Sequence, residues 1–208
     1  MFIYNLFPRT LMAKNTGDLI LRDRMQFEFD TDGNRTTLYG RFDLSQYVDP
    51  VSRAGLAIKE VLFQPRLPLN PDLPLTGAFP IIGEAYNPDA NLAQHTAVKI
   101  FATTRTYENA HEVGIASPDV LCVYERQVVS SPNGSDSQTY LAEDFWYGPR
   151  DLHPDGYTVV SDLLIGIATD AWTDEGGRTV ELDVVLVAEP VKVTTERMNE
   201  ILSQQQDL

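Results

Sequence analysis

The sequence predicts an all-β domain with a short C-terminal helix, and three observations carry that reading. Apolar and polar residues alternate with period two through much of the chain, as expected of strands with one buried face. Segments rich in Asp, Asn, Gly, Ser and Pro separate these runs, which is turn and loop chemistry. Helical spacing of apolar residues appears at the end, over residues 195–202. With 208 residues and 43% apolar content, the chain can bury one core, so a single domain over 1–208 is expected.

The first residues, Met1 to Pro8, are apolar but too short for a membrane span, and they lack the basic start of a signal peptide. Residues 1–15 read as an edge strand or an arm that docks on a neighbour. Met25, Phe27 and Phe29 then point one way, with Gln26, Glu28 and Asp30 opposite. Asp32-Gly33 suits a tight hairpin turn, and a returning strand places Leu38, Gly40, Phe42 and Leu44 on one face. Leu56 to Phe63 is the next strand. A proline-rich connection follows from Pro65 to Pro80, too long for a hairpin turn, and is expected to cross between sheets or form an exposed loop.

Val98, Ile100 and Ala102 alternate with Lys99, Phe101 and Thr103. Val120 to Val129 is almost continuously β-rich, as a central strand is, and Ser130 to Asp136 is a turn. Tyr140 to Tyr147 fits either a strand or a short helix. Tyr157 to Thr169 reads as one strand bent near Gly166, and Asp174 to Gly177 as a turn. The strongest alternation places Val180, Leu182, Val184, Leu186 and Ala188 on one face. This strand begins half-polar and ends apolar on both faces, which suits one that passes beneath a neighbouring chain. The tail over 194–208 holds an amphipathic helix, capped by Thr194 or Thr195. The total is about eight strands, a pattern shared by β-sandwiches, jelly rolls and barrels.

Composition narrows the chemistry. The net charge is −14, from eighteen Asp and twelve Glu against twelve Arg and four Lys, so the surface repels phosphate backbones and anionic lipid. Cys122 is the only cysteine; it stands in an apolar run, where a buried small hydrophobe is expected, and it precludes an internal disulfide. His95, His111 and His153 form no H-x-H pair of the kind a metal-binding β-barrel enzyme needs. Neither a G-x-S-x-G elbow nor a phosphate-cradling glycine motif is present. Adjacent acids such as Glu143-Asp144 and Asp174-Glu175 face opposite sides if they lie in strands, which argues against a glycosidase pair. Asp30-Thr31-Asp32-Gly33-Asn34 resembles part of a calcium loop but lacks the later bidentate Glu, and a turn accounts for it. The expectation is no enzyme, no cofactor, no metal and no small-molecule substrate.

This succession of strands, the proline-rich crossover, the apolar final strand and the short terminal segments resembles the single jelly-roll capsid proteins of small icosahedral viruses. The resemblance is architectural and rests on no family motif. It implies an eight-stranded jelly roll of two four-stranded sheets and a virion coat subunit whose partners are copies of itself and other capsid proteins. One departure matters: residues 1–15 hold only Arg9 and Lys14, so no basic arm neutralises a genome. Direct nucleic-acid binding is therefore not expected, and an internal viral membrane or a separate basic protein would screen the genome. The expected assembly contacts are Phe2, Ile3, Leu6 and Phe7 at one end and Met198, Ile201 and Leu202 at the other. The alternative is a carbohydrate-binding or other β-sandwich recognition module, including a spike or decoration protein, using aromatics such as Trp146 and Trp172.

Overall fold

The structure is a computed structural model that describes residues 17–28, 37–66, 94–132, 138–153, 155–170 and 179–206. Nine strands lie among them: β1 (Leu19–Glu28), β2 (Leu38–Phe42), β3 (Ala54–Arg66), β4 (Gln94–Thr103), β5 (Val120–Pro132), β6 (Gln138–Tyr147), β7 (Tyr157–Val159), β8 (Leu163–Asp170) and β9 (Thr179–Lys192). Helix α1 (Pro149–Leu152) is a single turn, and α2 (Thr195–Gln206) ends the chain. The strands form two antiparallel sheets, β1-β9-β3-β7 and β2-β8-β4-β5-β6.

The pairing is nested. β1 pairs with β9, β2 with β8, β3 with β7, and β4 with β5. The path is that of one long hairpin, turning between β4 and β5, rolled up on itself. The β3–β9 and β4–β8 ladders close the roll into two layers. β6 stands outside this scheme, folding back on β5 as a fifth strand of the second sheet.

Three expectations need correction. β1 and β2 are not a hairpin; each pairs with a late strand in a different sheet. Period-two pattern and turn chemistry specify that two strands exist, but the ladder partner is decided by which long-range pairing fills the core. Residues 157–169 are not one bent strand. The chain changes sheets between β7 and β8, where the Asp162 carboxylate accepts the Leu44 N–H at 2.9 Å and pairs with Arg41. The strand count is nine rather than eight, because residues 138–147 form a strand and residues 157–170 form two. The Asp32-Gly33 turn, most of the proline-rich connection and the Asp174–Gly177 turn lie outside the described residues.

Between the sheets the alternation does what the sequence implies. Met25 and Phe27 of β1, Leu56, Ile58 and Val61 of β3, and Val180 through Ala188 of β9 face Phe42, Val98, Ile100, Ile165 and Ile167 across the core. Cys122 is fully buried among them, and burial pushes its thiol up to about 12. A second cluster covers the outer face of the β2–β6 sheet, where Phe101 lies under Tyr107, Val113 and Val123. Tyr39 fastens this cover: its hydroxyl accepts the Tyr107 N–H at 2.7 Å and donates to the Tyr107 carbonyl at 3.0 Å. Lys99 reaches the same segment, donating to the carbonyls of Ala110 and Val113 at 3.3 and 2.9 Å.

On the outer face of the other sheet, Asp183 sits between Arg24 at 2.6 Å and Arg66 at 3.1 Å. Arg24 first, then Arg66, holds its carboxyl below the usual range. A depressed folded value means the unfolded chain binds the proton more tightly. The stabilisation is therefore complete above the ordinary Asp range, about pH 4, and is lost as pH falls through the folded value. Asp183→Asn should remove this part of the acid limb, leaving urea-melt stability less steeply dependent on pH below about 4.

Candidate functional site

Apolar side chains occupy the space between the sheets, and the described surfaces around them are edges, outer faces and the two ends. Among the described residues, no group of three or more His, Cys, Asp or Glu gathers where it could hold a metal. His153 is fixed in place, with Nε2 3.4 Å from the Val120 carbonyl and its ring edge-on to Tyr157 at 4.7 Å. His111 is exposed on a short 3-10 turn. The side chain of His95, like Trp172 and the Asp30–Asn34 segment, lies outside the described residues.

A polar cleft of about 190 Å3 at one end of the sandwich is lined by Thr104, Asp119, His153, Tyr157 and Arg197, among others. Its charges are matched by neighbours. Asp119 pairs with Arg105 at 2.9 Å, and Arg197 with Glu200 at 2.6 Å. No nucleophile–base pair is formed there.

The expected C-terminal contacts have a different role in the fold. Thr194 caps α2, its hydroxyl accepting the Arg197 N–H at 3.2 Å. Met198 and Ile201 pack with Val160 and Val193, and Leu202 lies partly buried against them. These three side chains cover one end of their own sandwich, which leaves the outer face of α2 as the part open to another molecule. Phe2, Ile3, Leu6 and Phe7 lie outside the described residues.

Two apolar exposures fall on segments that the sequence marks, the apolar end of β9 and the aromatic run around Trp146. On the outer face of the β1–β7 sheet, Ile20 and Leu62 are 53% and 46% exposed and flank Val187 and Val185 of β9. The apolar end of β9 therefore sits at the centre of an uncovered patch. The larger exposure is β6. Every residue from 141 to 147 is exposed, including Leu141, Phe145, Trp146 and Tyr147.

The Phe145-Trp146-Tyr147 run marks this segment in the sequence, but nothing in it says that the strand lies at an edge. Trp146 lies edge-on to Phe63 at 5.7 Å and near Tyr124 at 6.1 Å. The adjacent acids separate as strand geometry requires. Asp144 turns to Tyr124, whose hydroxyl donates to it at 2.9 Å, and to Arg126 at 3.6 Å; Glu143 takes the other face. Partial burial, and then this carboxylate, push the Tyr124 hydroxyl up to about 12.

No family profile matches the chain, and no curated protein matches it. A solved structure that aligns with it is that of Turnip Yellow Mosaic Virus at 100 K, which is 10% identical over 86% of this chain and 99% of that chain, with a TM-score of 0.23. A TM-score this low is too small to argue from. The chain is a mostly β protein of two antiparallel sheets, and no described helix is long and apolar enough to cross a membrane.

Proposed function

We propose that this chain is a single jelly-roll coat subunit that associates with copies of itself into an icosahedral virion shell, without binding nucleic acid directly. The observation that carries the reading is the nested pairing of first strand with last, second with second-last and third with third-last, around the β4–β5 turn. A jelly roll is that winding, with β6 an addition to it. The net charge of −14 supports a subunit kept away from nucleic-acid phosphates.

A sugar-binding module draws less support. Of the two aromatics expected to serve it, Trp146 packs edge-on against Phe63 and near Tyr124, and Trp172 lies outside the described residues. Static light scattering with negative-stain imaging of the purified chain tests the proposal. Regular closed particles or symmetric rings support it; a monomer at every concentration and salt tried rejects it. Like-charge repulsion between acidic subunits also sets a direction. Assembly should strengthen from dilute buffer to molar salt as the screening length falls from tens of Å to about 3 Å. Particle yield independent of salt would show that charge does not oppose the contacts.

A further inference from the structure

We infer that the outer edge of β6, with which no described strand pairs, joins β6 of a second copy in an antiparallel pair about a two-fold axis at Ala142, making one sheet of two five-stranded ones. This rests on the reading that the chain self-associates and names the surface that does it.

An uncovered sheet edge presents unpaired backbone donors and acceptors, and proteins that stay monomeric blunt such edges. The other edges here are blunted. β2 and β7 are five and three residues long, and β1 carries Arg22, Asp23 and Arg24 in a row. β6 runs ten residues, Gln138 to Tyr147, with no proline, glycine, lysine or arginine. It also lies outside the rolled core, so a partner strand would cover an edge that no described strand uses.

The charges restrict the register of such a pair. In a two-fold antiparallel pair, one residue must oppose its own copy. Centring on Glu143 or Asp144 sets like carboxylates face to face, which is destabilising. Centring on Ala142 sets Glu143 opposite Leu141 and Asp144 opposite Tyr140, and runs the pairing from Gln138 to Trp146. Asp144 is further matched inside its own subunit by Arg126 at 3.6 Å, which lowers the repulsion two acidic edges would otherwise feel. The same register seats Leu141, 57% exposed, beside the partner strand.

The test uses the full chain. Directly opposed residues in an antiparallel pair have Cα atoms about 4.5–5.5 Å apart, within disulfide reach. Ala142→Cys should therefore give a covalent dimer as the main species on a non-reducing gel after mild oxidation. The buried native Cys122 gives none in the wild type. Ala142→Lys places two ammonium groups together at an exposed site; it should weaken association at least tenfold in sedimentation velocity, with an unchanged thermal melt. If wild-type chain assembles, Ala142→Cys stays monomeric on the gel and Ala142→Lys assembles normally, the edge pairing is wrong while self-association stands. Cross-linking through Phe145→Cys in place of Ala142→Cys overturns the register. A wild type that never associates removes both this inference and the coat-subunit reading.

Discussion

Gly166→Ala should destabilise the domain by about 2–3 kcal/mol, the upper range for inserting a methyl group into a packed site. Gly166 lies on β8 between Tyr39 and Phe101 of the flanking strands. A β-carbon there would stand 2.2 Å from Cζ of Phe101. The ring has no easy retreat, being fully buried, edge-on to Tyr39 at 5.8 Å and covered by Tyr107 and Val113. The absence of a side chain at 166 is thus what lets an aromatic ring lie flat across the strand and carry the outer cluster. Phe101→Leu shortens that ring, so the double variant should be less destabilised than the sum of the single ones by about 1 kcal/mol or more. Urea melts of the four proteins measure both numbers. Strict additivity would mean that the two positions do not touch.

Leu186→Ala should cost about 3 kcal/mol, and Val185→Ala under about 1 kcal/mol, although the residues are neighbours. Leu186 is fully buried on the inner face of β9, between Leu21 of β1 and Val61 of β3. Its truncation leaves a cavity that rigid neighbours on both sides cannot close. Val185 points to the outer face beside Arg22 and Leu62, where solvent takes the vacated space. The contrast reads the strand's period directly. Equal losses at both positions would mean that both faces of β9 are covered in solution, as they would be beneath a neighbouring subunit. Repeating the pair under dissociating conditions separates the two causes.

Much of the fold was legible where burial follows the alternation of residues, as on β1 and β9, whereas on β4 Phe101 and Thr103 are buried as fully as Ile100 and Ala102. The faces of β1, β2, β4 and β9, and the helix cap at Thr194, were all readable from residue order. Partnership between strands was not. Asp32-Gly33 has the chemistry of a hairpin turn, yet β1 and β2 belong to different sheets, because closing the core required late strands as partners. Local propensity carries no information about contacts that far apart in sequence. The edge position of β6 was hidden for the same reason: the Phe145-Trp146-Tyr147 run does not say which strands flank it, and among the described strands only β5 does. Met198 and Ile201 looked available for assembly because an amphipathic face says that something covers it, not what. Here Val160 and Val193 of the same chain do so.

The rolled, nested pairing of early strands with late ones underlies both the fold and the proposed function. Disulfide trapping within one chain tests it most directly. Gln26 and Glu181 are register partners on the exposed outer face of β1 and β9, with Gln26 Nε2 3.1 Å from Glu181 Oε1. The Gln26→Cys, Glu181→Cys chain should oxidise to an intramolecular bridge of monomer mass that closes most of the chain into a loop and migrates faster on a non-reducing gel. A β1–β2 hairpin turning at Asp32-Gly33 would instead place Gln26 opposite Tyr39. A bridge in the Gln26→Cys, Tyr39→Cys chain, with none in the first, would contradict the fold and the function drawn from it.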